Sequence, residues 1–509
     1  MKKKKKKILL GSLITLVVLI AAAAIAYFVF IKMNTPSDEE RIANNKARLT
    51  KEVDRQLKGI DTEKVKAKKD LIEQKSLADI KKNIEARKLS HEELVAYYLL
   101  RIKEEDQGKN GNNAVSEINP NAIKLAKESD KKSFAGQPLK GIPVLIKENI
   151  NTKDLPTSAG AYALKDFKPA TNAPVVNELE KHGAIILGKT NLSEMSNYMS
   201  KRNPNGYSAK NGQTHNPFDP LNASALGSST GSAVAMATDL ATVSFGTETA
   251  GSIVAPASVN SVVGFKPSKD AIDGEGVIPI STHLDTVGPI AKHVTDVVET
   301  YNAATEKKVN PSLKKDSLKG KRIGIYKMAA TDEADIDRLK KLGKEQGFEV
   351  VVVEFDDSKF DLVPMLKDDF KHDVDMYLKK YNAPVKSLAE MVKFNEEDPE
   401  KRARYGQTYL EEALEVEKRD PKKSEATIAE AKKILAKKKA DEKLDGFAMF
   451  DNQGSSIASL AHGPEVSVPF GKKGKVPTAV TFFDVFGNDE NILSLAYSFE
   501  QMNNLRVLP

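Results

Sequence analysis

The longest apolar run of the chain lies near its N-terminus. Residues 8–31, ILLGSLITLVVLIAAAAIAYFVFI, carry no charged side chain and follow the lysine run Lys2–Lys7. A helix needs roughly 20 apolar residues to cross the hydrocarbon core of a bilayer, whereas the apolar region of a cleaved signal peptide has about 7–15. The pattern predicts a transmembrane signal-anchor at 8–31 behind a cytoplasmic basic tail at 1–7, since lysines stay on the cytoplasmic side.

The same run contains a competing signal. Ala24-Ile25-Ala26 has the small residues of a signal-peptide cleavage site, and cleavage there would give a secreted protein. Apolar residues continue from Tyr27 to Ile31, which favours the uncleaved anchor. Both interpretations place the body of the chain outside the cytoplasm. The expected location is the cell membrane, with a single span.

The rest of the chain changes pattern twice. Residues 32–75 are rich in charged side chains and predict a helical stem. From there on, short apolar runs such as 141–147 (GIPVLIK) alternate with amphipathic helices. This order predicts one α/β domain over 76–509, with a mixed, mostly parallel β-sheet covered by helices on both faces. Residues 356–440 are highly charged and predict a helical insertion or cap.

Charge and composition exclude several classes of function. The formal net charge is +7, but Lys2–Lys7 supply six of these charges, so the body is nearly neutral and no nucleic-acid partner is expected. The chain has no cysteine, which excludes disulfides, thiolate metal sites and a cysteine nucleophile. It has no H-E-x-x-H motif or comparable cluster of histidine and acidic residues. We therefore expect no metal site.

Two segments match well-known sequence motifs but lack the structural context that these motifs require. Residues 183–190, GAIILGKT, match the phosphate-binding G-x-x-x-x-G-K-[ST], yet the residues between the glycines predict a strand rather than a loop. Residues 227–231, GSSTG, match the G-x-S-x-G elbow of α/β-hydrolases, but a loop precedes them instead of a strand. None of the seven histidines has a setting typical of a general base. Ser229 remains the alternative nucleophile.

Three other residues suggest hydrolytic chemistry. Lys147 ends an apolar strand, where burial would lower its pKa and favour a neutral amine that can act as a base. Ser228 lies in a glycine-flanked loop, and Ser252 follows the small residues 246–251, GTETAG, whose N–H groups could converge on one point. Serine–lysine pairs are known substitutes for the Ser-His-Asp triad. Taken alone, these features leave catalysis open, because such lysines and loops are often without function.

Residues 226–257, LGSSTGSAVAMATDLATVSFGTETAGSIVAPA, resemble the core motif of the amidase-signature hydrolases. The bridging and nucleophilic serines of that family are 24 positions apart, as Ser228 and Ser252 are here. The family lysine lies in a segment similar to GIPVLIKEN, which corresponds to Lys147. The resemblance covers about residues 80–509 and is strongest to the branch that acts on peptide-like and small linear amides. Further similar segments follow in order: GKTNLSEM, GQTHNPFDP, GVIPIS, LDTVGPIAKHVTDV and LAYSFEQ.

The resemblance implies an amidase-signature fold and hydrolysis of a small or peptide-like carboxamide without a cofactor. Ser252 would attack the carbonyl, and Ser228, preceded by a cis peptide bond, would relay a proton to neutral Lys147. It also implies an oxyanion hole made by four consecutive backbone N–H groups, those of Thr249, Ala250, Gly251 and Ser252.

Some residues depart from the family pattern. Leu226 replaces a common glycine, Ala250 replaces glycine or aspartate, and Val254 stands where many members have arginine. These changes weaken any inference about the substrate. Two alternatives stay open: a catalytically inactive, membrane-tethered binding protein on this scaffold, and an amidotransferase subunit that acts on charged transfer RNA. The membrane segment and the absence of a basic surface disfavour the second. The sequence indicates no particular oligomeric state.

Overall fold

The computed structural model describes residues 46–131, 136–503 and 505–509. Its strands are β1 Val115–Ile118, β2 Pro143–Lys147, β3 Ile185–Thr190, β4 Tyr207–Ser208, β5 Gly212–Gln213, β6 Val243–Glu248, β7 Val263–Lys266, β8 Thr286–Ala291, β9 Arg322–Tyr326, β10 Glu349–Val353, β11 Gly446–Phe450, β12 Glu465–Lys473 and β13 Val476–Phe483. All except β4 and β5, which pair with each other, belong to one sheet in the order β1-β3-β2-β6-β8-β7-β12-β13-β11-β9-β10.

The α-helices are α1 Lys46–Leu57, α2 Thr62–Lys66, α3 Lys69–Ile72, α4 Leu77–Glu85, α5 His91–Arg101, α6 Ala122–Lys131, α7 Pro174–Lys181, α8 Thr230–Ala237, α9 Val254–Val259, α10 Val294–Ala304, α11 Glu333–Gln346, α12 Val363–Lys380, α13 Leu388–Glu396, α14 Pro399–Arg402, α15 Thr408–Leu414, α16 Pro421–Asp441, α17 Ser455–Leu460 and α18 Asp489–Asn503. Short 3₁₀ segments lie at Tyr162–Leu164, Glu194–Asn197 and Asp357–Phe360, and a π-helical turn lies at Ile102–Asp106.

The sheet is mixed, as predicted, but the prediction of mostly parallel strands is wrong. Parallel pairing is confined to β3-β2-β6 on one side and β11-β9-β10 on the other. Between them, β6, β8, β7, β12, β13 and β11 pair antiparallel in succession. The reason is that β8 returns between β6 and β7 and that β12 and β13 form a hairpin, which an alternation of strand and helix patterns does not reveal.

Both faces of the central strands are covered. Every residue of β2, β3, β6, β7 and β8 is buried, and successive residues of a strand point to opposite faces. Helix α8 contacts β6 and β8, whereas α9 contacts β12 and β13. This packing keeps water away from the ends of β2 and β6, where the predicted site residues lie.

The N-terminal part of the described chain packs on the body. Leu49, Val53 and Ile72 are buried in the main hydrophobic core, and Gln56 Nε2 donates to the carbonyl oxygen of Asn119 at 2.9 Å. The boundary predicted at residue 76 is therefore too late, because an apolar stripe on these charged helices fits the body. The predicted stem is wrong for residues 46–75.

The predicted membrane anchor, residues 8–31, lies outside the described residues. Among the residues that the structure does describe, none of the helices combines the length and apolarity that a membrane span requires.

The charged segment 356–440 is largely helical and carries its own apolar core. Helices α12 to α16 lie within or at the edge of this segment. Phe370, Leu410 and Leu435 pack in a second hydrophobic cluster, together with residues of the body such as Met195 and Tyr198. Helix α12 lies against the loop before β8, because Asp369 and Asp373 accept hydrogen bonds from Ser281 and Thr282.

Candidate active site

Lys147 is the last residue of β2, which lies between β3 and β6 in the sheet. Its side chain is 0% exposed. The amine Nζ lies 2.7 Å from Ser228 Oγ, 2.8 Å from Thr247 Oγ1 and 3.2 Å from the carbonyl oxygen of Thr247. The parallel register of β2 and β6, with Ile146 opposite Phe245, brings Thr247 beside the lysine.

These contacts fit a neutral amine. Burial lowers the pKa of Lys147 to about 7, and the negative charges of Asp285 and Glu248 oppose this effect without cancelling it. A neutral amine has two N–H groups and one lone pair. The two oxygens of Thr247 can accept both N–H groups, so the lone pair is left to face the hydroxyl of Ser228. The arrangement suits a base that takes a proton from this serine.

Ser228 lies in the loop that leads into α8, and it is fully buried. The Gly227–Ser228 peptide bond is cis, as the resemblance implied. The carbonyl oxygen of Ser228 accepts the N–H of Ser193 at 3.1 Å. The next N–H along, that of Ser229, donates to the carbonyl oxygen of Ser252 at 3.0 Å, so the two predicted serine loops are in contact.

Ser252 lies in the loop between β6 and α9, and it is 8% exposed. The Glu248 carboxylate organises this loop by accepting backbone N–H groups from Gly251 and Ile253, both at 2.6 Å, and from Val254 at 3.0 Å. Gly251 has φ +81°, a left-handed conformation that favours glycine. The loop therefore takes its shape from one buried carboxylate and one glycine.

The predicted oxyanion hole needs a correction at Gly251. The N–H of this residue donates to Glu248 and is thereby occupied. The N–H groups of Thr249, Ala250 and Ser252 are the three that a hole would use. The side chain of Thr249 is fixed as well, because its Oγ1 donates to Asp285 Oδ1 at 2.6 Å.

The structure does not support the elbow interpretation of Ser229. Residues 221–229 form turns and loop rather than a strand. Ser229 Oγ donates to the carbonyl oxygen of Thr247 at 2.9 Å and lies 3.2 Å from the backbone nitrogen of Thr247, whose N–H it accepts. This hydroxyl therefore joins its loop to β6.

The segment that matches the phosphate-loop motif is also not a phosphate loop, because it forms a strand. Ile185–Thr190 forms β3, and Lys189 is fully buried within it. Its Nζ donates to Thr152 Oγ1 at 2.9 Å, to Thr157 Oγ1 at 3.2 Å and to the carbonyl oxygen of Ile150. Lys189 thus holds the loop after β2 instead of a phosphate.

Sequence reasoning missed three residues around Lys147. Thr247 takes the N–H groups of the amine, and Asn149 Nδ2 donates to Thr247 Oγ1 at 3.0 Å. Asp285 fixes Thr249, and burial raises the pKa of this carboxyl to about 6. The signal available for Asn149 was its position as a polar residue just after a buried strand. Its partner Thr247 could not be identified, because that contact depends on which strands are neighbours in the sheet.

A cavity of about 450 Å³ has none of Lys147, Ser228 and Ser252 in its lining, but it is linked to the Ser252 loop. Asp285 connects the two, since it lines the cavity and accepts the Thr249 hydroxyl. The segment 269–285 forms one wall, and the cap residues Met376, Tyr377 and Tyr381 form the other. Within residues 46–131, 136–503 and 505–509, no group of three or more His, Cys, Asp or Glu side chains is arranged to hold a metal ion.

The chain is similar to known proteins over most of its length. The Amidase family profile matches residues 93–448. A probable amidase of Arabidopsis thaliana is 34% identical over 478 residues, which are 86% of this chain and 92% of that protein. One of the glutamyl-tRNA(Gln) amidotransferase subunits, from Thermoanaerobacter pseudethanolicus, is 28% identical, over 85% of this chain and 97% of that protein.

Solved structures agree with these relatives. An amidase family protein from Bacillus anthracis has a TM-score of 0.89 and 36% identity, covering 93% of this chain and 99% of that one. The native peptide amidase from Stenotrophomonas maltophilia has a TM-score of 0.78 and 31% identity, covering 86% and 98%. The chain therefore belongs to the amidase family and is a hydrolase of amide C–N bonds.

Proposed function

We propose that the protein is an exported, membrane-anchored amidase that cleaves a terminal or non-standard amide of a peptide-like substrate through an acyl-enzyme on Ser252. One observation carries the proposal: the buried Lys147 amine lies 2.7 Å from Ser228 Oγ, and its two other contacts are to Thr247 Oγ1 and the Thr247 carbonyl oxygen. The similarity to a peptide amidase supports the substrate class. The cavity beside Asp285 has the volume of a small-ligand pocket.

In the proposed acylation, Ser252 Oγ forms a bond to the substrate carbonyl carbon while its proton passes to Ser228 Oγ. Ser228 gives its own proton to the lone pair of Lys147, which becomes an ammonium. The electron pair of the C=O bond moves onto oxygen, where the N–H groups of Thr249, Ala250 and Ser252 stabilise it.

The leaving amine needs a proton when the C–N bond breaks. Ser228 supplies it and is reprotonated by Lys147, because burial makes this ammonium a ready acid. Water then attacks the acyl-enzyme through the same relay and releases the carboxylic acid. The cycle returns Lys147 to its neutral form.

Turnover by matched serine variants tests this mechanism. The full-length protein in detergent is assayed against short peptide amides. Ser252→Ala should abolish hydrolysis, because no other group forms the acyl-enzyme. Ser258→Ala is the control, since this buried hydroxyl only donates to the Ala255 carbonyl within α9. Full turnover by Ser252→Ala would refute the assignment of the nucleophile.

The two alternatives differ in what they predict. An inactive binding protein would not react with a fluorophosphonate, and the contact between Lys147 and Ser228 argues for a working relay. An amidotransferase subunit would act on charged transfer RNA, but the body of this chain is nearly neutral once Lys2–Lys7 are set aside. A hydrolase that needs no second substrate also suits an exported protein.

The export proposal rests on the apolar run at 8–31 and the preceding lysines. External protease added to intact cells should digest the body and leave the lysine-bearing tail protected. A body that resists protease until the cells are lysed would refute export. Release of the body into the medium without detergent would instead support cleavage at Ala24-Ile25-Ala26.

A further inference from the structure

The loop of residues 249–253, called here the nucleophile loop, depends on Glu248. The carboxylate of Glu248 accepts the N–H groups of Gly251, Ile253 and Val254 at 2.6, 2.6 and 3.0 Å. Any group that changes the position or charge of this carboxylate therefore acts on Ser252. A second buried carboxyl group, Glu465, is in a position to do so.

Glu465 is the first residue of β12 and is fully buried. Its carboxyl group faces that of Glu248 within hydrogen-bonding reach, and Ser455 of α17 lies beside it. Lys266 of β7 is the nearest cation, with Nζ 3.6 Å from Glu465 Oε1, but it donates to the carbonyl oxygen of Gly463. No described residue donates a hydrogen bond to either Glu465 oxygen by distance and angle.

Two carboxyl groups facing each other in a buried place cannot both be ionised without a large cost. Glu248 uses both of its oxygens to accept backbone N–H groups, whereas both oxygens of Glu465 lack donors among the described residues. A proton on Glu465 removes the repulsion and turns an acceptor without a partner into a donor.

We propose that Glu465, carrying a proton, donates a hydrogen bond to Glu248 and is thereby a positioning residue for the nucleophile loop. The proposal rests on Ser252 being the nucleophile, and it adds a residue more than 200 positions away in sequence to the control of that loop. Glu465 contacts no reacting atom. It acts through the Glu248 carboxylate.

The proposal makes the loop sensitive to alkaline pH. Burial and the charge of Glu248 raise the pKa of Glu465 well above its ordinary value, while Lys266 opposes the rise. Because the pKa is raised in the folded state, Glu465 keeps its proton to a higher pH than an ordinary carboxyl group and loses it only as pH rises through the folded value. Repulsion from the ionised Glu465 would then displace Glu248 and loosen the loop.

Labelling kinetics over pH provide the test, with a fluorophosphonate as the probe and the full-length protein in detergent. Wild type should show an acid limb near the pKa of Lys147, about 7, and a separate alkaline limb. Glu465→Gln keeps a hydrogen-bond donor that does not titrate, so it should keep the acid limb and lose the alkaline one. Below the alkaline limb, Glu465→Ala should be slower than wild type by roughly tenfold, the size expected for one lost hydrogen bond to a charged group, and it should show no alkaline limb of its own.

Asp106→Asn is the matched control. Asp106 is a buried carboxyl whose pKa burial raises to about 6, but it accepts the N–H groups of Ala114 and Val115, in a part of the chain separate from the nucleophile loop. Its substitution can lower stability and should leave the alkaline limb unchanged. A change in that limb for Asp106→Asn would mean that the limb reports general unfolding, which would refute the proposal.

Hydrogen exchange separates this inference from the proposed function. Protection of the N–H groups of Gly251, Ile253 and Val254, corrected for intrinsic exchange, should fall at alkaline pH in wild type and stay constant in Glu465→Gln. This readout needs no turnover, so it holds even if Ser252 is not the nucleophile. An alkaline limb that persists in Glu465→Gln, or equal protection in both proteins at every pH, would overturn the role of Glu465.

Discussion

Two buried lysines on neighbouring parallel strands differ in what their amines contact. Lys147 of β2 and Lys189 of β3 are both fully buried, and burial lowers the pKa of each to about 7. Burial and a lowered pKa therefore do not tell a base from a structural group. The difference lies in whether a partner can donate a proton to the amine.

At Lys189 every partner is an acceptor. The hydroxyls of Thr152 and Thr157 both donate to the Ile150 carbonyl oxygen, at 3.4 Å, so they can only accept from the lysine. Three acceptors favour the ammonium form, against the effect of burial. At Lys147 the third partner is the Ser228 hydroxyl, which has a proton to give. In the proposed mechanism, this difference in partners distinguishes Lys147, the base, from Lys189, which holds the loop after β2 in place.

The largest expected effect comes from removing the base. Lys147→Ala should lower kcat by about 10⁴-fold or more, because Ser228 then has no acceptor for its proton. Groups that act as one unit are not additive, so Lys147→Ala/Ser252→Ala should be little worse than either single variant. Steady-state kinetics on a peptide amide measure both values. Additive losses would mean that the two residues act independently.

The sequence alone separates Lys147 from Lys189 as a candidate for catalysis, but it does not show the partners of either amine. The apolar run before Lys147 and the small residues around Ser228 and Ser252 are local signals, and the resemblance to the amidase-signature hydrolases selects these three residues as candidates. The phosphate-loop match around Lys189 was rejected for a local reason too, since a strand fills the interval. Thr247 could not be identified in advance, because it meets Lys147 only through the register of β2 on β6.

The same limit explains the errors of fold. The antiparallel return of β8 between β6 and β7 is a long-range pairing, which no pattern along the chain encodes. The charge of residues 32–75 predicted a stem, but Leu49 and Val53 form an apolar stripe that packs into the main hydrophobic core. The sequence also does not reveal that the Gly251 N–H group, which was expected in the oxyanion hole, donates to Glu248 instead.

A smaller effect is expected where the orientation of the amine is disturbed. Thr247→Val removes the hydroxyl that accepts a Lys147 N–H at 2.8 Å, so the lone pair is no longer fixed toward Ser228. We expect kcat to fall roughly 10–100-fold, the effect of one misplaced hydrogen bond to a reacting group. Thr247→Ser keeps the hydroxyl and should retain most activity. Equal losses in both variants would show that the methyl group, rather than the hydroxyl, matters.

The pH dependence of the rate should also distinguish the two lysines. Because the pKa of Lys147 is lowered to about 7, the neutral amine is the main form above this pH and is lost below it. The rate should therefore fall about tenfold per pH unit on the acid side, as for a single titrating base. Lys189→Met should leave the midpoint unchanged. A shifted midpoint would place Lys189 in the titration.

The smallest effect on activity is expected from substitution of Lys189. Lys189→Met removes the hydrogen bonds that the amine donates to the Ile150 carbonyl oxygen and to the Thr152 and Thr157 hydroxyls, which should lower the free energy of unfolding by about 1–3 kcal/mol. The rate at neutral pH should change by less than about threefold, since no proton of the reaction passes through this amine. Denaturant unfolding and kcat measure the two effects. A large loss of kcat at unchanged stability would contradict the structural role.

The proposed mechanism requires that Ser252, activated by the Lys147–Ser228 pair, is the serine that forms the covalent intermediate. Peptide mass spectrometry of the fluorophosphonate-treated protein identifies that serine. We predict one adduct, on Ser252, that forms in wild type and is strongly reduced in Lys147→Ala. An adduct on Ser229, or labelling of Ser252 that is indifferent to Lys147→Ala, would contradict the mechanism.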